Sequence, residues 1–496
     1  MIPDQQKNLL LAIAASLVIV VGFNIIFPPP PVPGEVEKSE QAADPKVAPS
    51  AGSQGDNKIA QQETSNKAKF LDDGPKLGSD VSDVMPKAAP TSAENTAMSR
   101  GAALKKGPRV QITSSRLSGS INLTGGRIDD LVLRNYRETL DPTSDEIVLL
   151  LPVGSDRPYY AEFGWLGNGV KTPNSKTVWQ TSSSKLSPDK PVTLSWNNGQ
   201  GMVFEREISL DKDYVFEIIQ RVRNVTKNSY SLAPYGLVSR TGTPSILGFY
   251  ILHEGLIGVL EGALQEVDYD DFEESGPKRF ETTGGWLGIT DKYWLAALIP
   301  DQEKMVKTSF VSHTRGNHQA YQADFLSPAL TVNPGVTIET RSHFFAGAKE
   351  KKLLDSYNKS LNIDKFDLAI DFGWFWFFTK PFAEALSYFN GMFGNYGIAI
   401  LILTVIIKLI FFPLANKSYR AMSKMKALQP KMEELKERFG EDRQRMNTEL
   451  MNLYKTEKVN PAAGCFPIII QIPVFFALYK VLFVSIEMRH APFFGW

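Results

Sequence analysis

One lysine, Lys408, stands in the otherwise apolar run LTVIIKLIFFPL (403–414), with Thr404 one helical turn before it on the same face. A second apolar run, FPIIIQIPVFFALYKVLFVS (466–485), carries Gln471. Polar groups at such depth are tolerated where they face protein or water rather than lipid. The chemistry these three types offer is attraction of anions and hydrogen bonding. Two readings of Lys408 stand side by side. It lies six residues, about 9 Å, from Leu414, so its stem could carry the ammonium most of the way to the interface. Alternatively, it lines a water-filled cavity inside the bilayer, with Thr404 and Gln471 on the same groove. Lys480, near the end of the second run, reads as a snorkelling residue.

Other reactive types are scattered. His313 and His318 in HTRGNH are five apart, off the four-residue spacing that puts two metal ligands on one helix face, and His253 and His343 add no third ligand. The acidic run DYDDFEES (268–275) lacks the alternating ligands and glycine of a calcium loop and reads as a solvated turn. Trp165, Trp179, Trp196, Trp286 and Trp294 could form sugar platforms, but core packing explains them equally well. One cysteine, Cys465, excludes an intramolecular disulfide. Basic and acidic residues balance at 54 each, so net charge points to no nucleic-acid partner.

The elements that must position Lys408 are legible from texture. Residues 397–414 hold thirteen large aliphatic or aromatic side chains. These favour insertion by roughly 4–8 kcal/mol, against about 2.5–3.5 kcal/mol for one mid-helix lysine. A span forms despite the charge. An earlier uncharged run, 9–27, is long enough for a further span and is followed by PPPPVPG rather than a cleavage site, so it reads as an uncleaved anchor. Residues 28–107 are rich in Pro, Ala, Ser, Gly and charge, with Phe70 the only aromatic, and read as a disordered tether. From about 108 to 348, partial period-two stretches such as MVFEREISL, YVFEIIQRVRNV and VTIETRSHFF alternate with turn signals, predicting an all-β sandwich. Residues 349–394 read as a helical connector. Within it, the aromatic block 374–378 and the face Phe382, Leu386 and Phe389 suit an interfacial amphipathic helix.

Between the two spans, residues 415–460 carry eleven basic against seven acidic side chains, a net of +4, which places this loop in the cytoplasm. The sandwich then lies outside and the amino terminus inside. Met422, Met425, Leu428, Met432, Leu435 and Phe439 recur at steps of three and four, a coiled-coil seam. Gly440 is placed to stop that helix, and Met446, Leu450, Leu453 and Tyr454 continue the stripe on a second one, predicting an antiparallel hairpin. The fold class is therefore a multi-domain membrane protein: an all-β sandwich, an α-helical transmembrane core and a cytoplasmic helical hairpin.

The stretches GNYGIAILILTVIIKLIFFPL, SKMKALQPKMEELKERFG and LYKTEKVNPAAGCFPIIIQIPVFFALY closely resemble the YidC family of membrane protein insertases, and GGRIDDLVLRNYRETLD (125–141) resembles the start of its β domain. The resemblance implies a bacterial inner-membrane protein with a periplasmic sandwich, and no enzyme activity or cofactor. It implies a hydrated, positively charged groove closed toward the periplasm, with Lys408, Thr404 and Gln471 in it and Ile472 and Phe475 as substrate contacts. The implied partners are nascent inner-membrane proteins, the lipid bilayer, the Sec translocon, and a ribosome or targeting factor at the hairpin. Lys408 stands where many relatives have arginine, which keeps charge but loses the bidentate fork. The family pattern implies two further spans and a basic tail beyond Trp496. A periplasmic glycan-binding or glycan-processing protein is the rival reading, and would require a carboxylate pair or a His/Asp constellation in the sandwich. A scaffold docking on the secretion channel is a second rival, and would leave Lys408 dispensable.

Overall fold

The computed structural model describes residues 98–491, apart from 245–251, 273–275, 316, 440–441, 461–465 and 490. The expected anchor 9–27, most of the tether, Gly440, Cys465 and the end of the acidic run lie outside the described residues. Two sheets of eleven and nine strands stack face to face, nearly all antiparallel, which is the expected sandwich. The centre of the larger sheet runs, in lateral order, Met305–Arg315, His318–Leu326, Tyr230–Thr241, Tyr159–Gly167 and Arg127–Arg137. The centre of the smaller runs Trp294–Ile299, Thr337–Ala348, Val215–Asn224 and Met202–Leu210.

Side-chain alternation dictates the packing. Met202, Phe204, Ile208 and Leu210 face the core while the residues between them are half-exposed. Tyr159–Gly167 is buried along its whole length because both its faces are covered. Tyr159, Ala161, Phe163 and Trp165 join the main core, whereas Tyr160 and Leu166 pack with Tyr235 and Leu237 in a second cluster. Trp165, Trp179 and Trp286 are core residues, which removes them as sugar platforms.

The third of the five inward residues of Met202–Leu210 is charged. Arg206 is 2% exposed and crosses between the sheets: it donates to the Gly126 carbonyl at 2.6 Å and to the Phe163 carbonyl, and its guanidinium lies 4.8 Å from the Trp179 ring centre. Burial lowers its pKa to about 10. Gly126 permits the approach. It has φ +65°, and a Cβ there would lie 2.7 Å from Arg206 Nη1. Nearby, Arg127 and Glu162 form a buried pair at 2.5 Å, and the Tyr235 hydroxyl donates to the same carboxylate at 2.9 Å.

Order begins earlier than composition suggests. Residues 98–107, read as tether, are held on the sandwich by helix α1 (Arg100–Leu104), capped by Ser99. Ala103 is buried, Arg100 pairs with Asp130 at 2.5 Å, and Met98 bridges to Ser155. A tether composition is thus overruled by one small apolar residue and one ion pair. After the last strand, α2 (Lys351–Ser360) buries Leu354 and Tyr357. A short 3-10 turn, Phe366–Ala369, follows and sets Phe366 against Trp286 and Phe345. The first part of the connector, to Phe372, is therefore part of the sandwich's packing.

Candidate substrate groove

Four further helices and a hairpin partner build the helical region: α3 (Trp376–Phe393), α4 (Tyr396–Ala427), α5 (Gln429–Phe439), α6 (Arg443–Thr456) and α7 (Phe466–Val484). Among the described residues, α4 and α7 are the two helices long and apolar enough to cross a membrane. Helix α4 starts where the Asn395 side chain accepts from the Ile398 N–H at 3.0 Å. Its Ala399, Leu403 and Ile407, at four-residue steps, pack with Val474 and Val481 of α7 and Leu386 of α3 in one buried cluster. Phe382 and Phe389 lie against the same cluster, so that face of α3 meets both α4 and α7. Trp374, Trp376, Tyr388, Met392 and Phe393 remain outward.

Lys408 follows Ile407, and Phe475 follows Val474, so both stand at the edge of this seam. Both are exposed, and the Lys408 ammonium lies 5.4 Å from the centre of the Phe475 ring. Among the described residues Lys408 forms no salt bridge. Thr404 donates its hydroxyl to the Ile400 carbonyl of its own helix at 2.8 Å, leaving oxygen lone pairs to accept from water or substrate. Gln471 is half-exposed and, among the described residues, makes no side-chain hydrogen bond. Tyr396, Ser485 and Glu487 line one small cavity, so the start of α4 and the end of α7 meet and the two helices run antiparallel. Thr404 therefore lies one turn above the Lys408–Phe475 contact and Gln471 one turn below it. The three polar groups are strung along the seam over about 12 Å rather than gathered at a point. Ile472 and Phe475 are outward-facing on α7, at 46% and 54% exposure.

The structure alters two readings. Met422 and Met425 belong to α4, which continues unbroken through the expected span boundary to Ala427. The seam then breaks at Leu428, because Pro430 offers no N–H and its ring clashes with the carbonyl four residues back. The hairpin proper is α5 against α6, joined by Lys431–Glu457 at 2.7 Å and a Tyr454–Met432 contact at 3.7 Å. Lys480 does not snorkel freely. Its ammonium meets Asp371 of the connector at 2.7 Å, and its side chain is 12% exposed. The signal was present in the sequence, since Asp371 is a carboxylate within an aromatic run, but its partner lies 109 positions away.

The histidines are dispersed. His253 bonds Asp268 and the Leu256 carbonyl, each at 2.9 Å, while His318 and His343 lie 3.7 and 3.9 Å from Asp156 and Glu217. Burial disfavours the His253 cation, but the Asp268 bond and the nearby Glu266 carboxylate outweigh it and raise the pKa. Among the described residues no three His, Cys, Asp or Glu side chains form a metal-binding group.

Comparison with known proteins assigns both halves. The YidC periplasmic domain matches residues 109–385, and the 60Kd inner membrane protein family matches 388–496. The membrane protein insertase YidC of Methylobacterium sp. (strain 4-46) is 47% identical over 507 residues, covering 99% of this chain and 80% of that protein. That of Nitrobacter hamburgensis is 51% identical over 413 residues, covering 80% and 68%. Among solved structures, a galactose mutarotase-like protein from Lactobacillus casei aligns with 48% of this chain and 99% of its own at 12% identity and TM-score 0.32, too slight a likeness to bear on fold or function. The glycan-processing alternative gains nothing from these matches. With two family signatures end to end and near-complete relatives of one kind, the chain belongs to the YidC family of membrane protein insertases, which work without enzymatic chemistry.

Proposed function

We propose that the α4–α7 seam is one wall of a hydrated intramembrane groove that receives the polar tail of an incoming membrane protein. The observation that carries this reading is Lys408, exposed at the seam edge beside Phe475. Charge at Lys408 attracts acidic tails, while Thr404 and Gln471 exchange hydrogen bonds with water or the passing backbone. The substrate's apolar segment slides along Ile472, Phe475 and the neighbouring outward residues of α4, Leu401, Val405 and Leu409. At an effective dielectric near 20, attraction at 4–8 Å is worth about 2–4 kcal/mol, and groove water screens it further. That biases entry. The remaining drive is the substrate's apolar surface leaving water.

In this reading the amino terminus and residues 415–460 are cytoplasmic and the sandwich is periplasmic. The basic hairpin of α5 and α6 meets the ribosome or a targeting factor, and the protein works alone or beside the Sec translocon. Sequence charge supports this orientation. The deciding experiment is insertion of one substrate, its tail carboxylates present or neutralised, by chains with Lys, Leu, Arg or Glu at 408. Lys408→Arg keeps insertion, because charge and reach survive. Lys408→Glu fails most for the acidic tail. Equal insertion in all eight combinations refutes the groove.

A further inference from the structure

The outer end of α7 is fastened at several points to the connector and the sandwich. Lys480 Nζ meets Asp371 Oδ2 at 2.7 Å. Asp371 is itself held: its Oδ1 accepts from the Gly373 N–H at 2.8 Å and its Oδ2 from the His253 N–H at 3.3 Å. The lysine stem passes a bare turn. Gly373 has φ +69°, and a Cβ there would lie 3.3 Å from Lys480 Cε. One turn further, Lys292 of the sandwich places its ammonium 3.5 Å from the centre of the Phe483 ring. Beyond the helix, Arg489 donates to the carbonyls of Arg137 and Glu138 at 2.6 and 2.9 Å, and Glu487 accepts from the Lys351 N–H at 2.9 Å.

These contacts define both the height and the phase of α7. Lys480 is five residues from Phe475, about 7.5 Å along the axis. A slip of one residue moves Phe475 by about 1.5 Å and turns it by about 100°. Such a slip would take its ring off Lys408. A flexible lysine with its head in water would permit it. A lysine held on an already oriented carboxylate does not.

We propose that the Lys480–Asp371 pair is a positioning element of the groove: it sets the depth and rotation of α7 and so holds Phe475 opposite Lys408. The purpose assigned to the pair rests on the groove reading above, but the placement of α7 can be measured without it. The full chain, with Cys465→Ser and a spin label at Phe476→Cys, is reconstituted in lipid vesicles. Label depth is read from relative access to oxygen and to a water-soluble nickel complex. The variants are Asp371→Asn, Lys480→Met, and the exchanged pair Asp371→Lys with Lys480→Asp. Each single variant is expected to shift the label by about one residue, ~1.5 Å, and to lower insertion severalfold. The exchanged pair restores the ion pair but not the bonds from the Gly373 and His253 N–H groups, so it should recover depth and insertion in part. An unchanged depth in both single variants overturns the proposal, even where Lys408→Glu still discriminates acidic tails and the groove stands. A depth that follows the pair while all Lys408 variants insert alike overturns the groove and the purpose assigned to the pair, leaving a plain anchor. If one single variant is lost to proteolysis, the other decides: a shifted label supports the proposal and an unshifted one refutes it.

Discussion

Asp324 is a carboxylate that the sandwich holds at a loss. It is 1% exposed, on the His318–Leu326 strand, and accepts from Ser309 Oγ at 2.7 Å and Gln322 Nε2 at 2.8 Å. Among the described residues it has no ion-pair partner. Burial outweighs these two donors and raises its pKa from 3.8 to about 6. A raised carboxyl favours the folded state fully below the unfolded value of 3.8, and that contribution is lost as pH climbs through about 6. The shift of about two units corresponds to roughly 3 kcal/mol between pH 4 and pH 7. Asp324→Asn removes this dependence. The amide can still accept from Gln322, but the Ser309 hydroxyl loses its acceptor, a cost of about 1 kcal/mol. A net gain of about 1–2 kcal/mol is therefore expected at pH 7.5, and a small loss at pH 4.5. For a domain of this size that is a rise in Tm of roughly 2–6 °C at the higher pH. Tryptophan fluorescence of the detergent-solubilised chain is a suitable readout, since five of the eight tryptophans (165, 179, 196, 286 and 294) belong to the sandwich. The same Tm change at both pH values would refute the reasoning.

Two further outcomes are expected. Deleting residues 423–453, which removes the end of α4 and the hairpin, should abolish insertion while the sandwich keeps its protease resistance; normal complementation of a depleted strain would remove any role for the hairpin. In a Cys465→Ser chain, Pro430→Cys should resist an impermeant thiol reagent in intact cells and react after lysis, and labelling from outside would reverse the proposed orientation.

Periodicity revealed which side a residue takes but seldom whom it meets. The alternation in MVFEREISL places Met202, Phe204, Ile208 and Leu210 inward, yet its middle residue, Arg206, follows the same rule against its chemistry. Only the carbonyls of Gly126 and Phe163 explain that, and they come from a turn and a strand 80 and 43 positions away. The two long helices were visible because runs of some eighteen residues that are nearly all apolar have few other uses. The helix break at Leu428 was missed because hydrophobic steps of three and four run across Pro430 without a gap. Lys480 was misread because its partner, Asp371, reaches it only through the fold. Lys408 was visible as an anomaly of charge. Its contact with Phe475 depends on the phase of a second helix, which composition does not encode.

The unbroken course of α4 gives the hairpin a mechanical relation to Lys408 and the proposed groove. Its 32 residues span about 48 Å, well beyond the ~30 Å of hydrocarbon. Pro413 lies within it and leaves the Leu409 carbonyl without its usual helical donor, a soft joint in an otherwise stiff shaft. From that joint the arm toward the hairpin, to Ala427, is about 21 Å long, and the arm to Lys408 about 7.5 Å. Bending at Pro413 therefore uncouples the arms: the longer one can swing while little of that motion passes to the lysine. In the proposed reading, a hairpin that docks a partner can sway with its load while the charge at Lys408 stays nearly still.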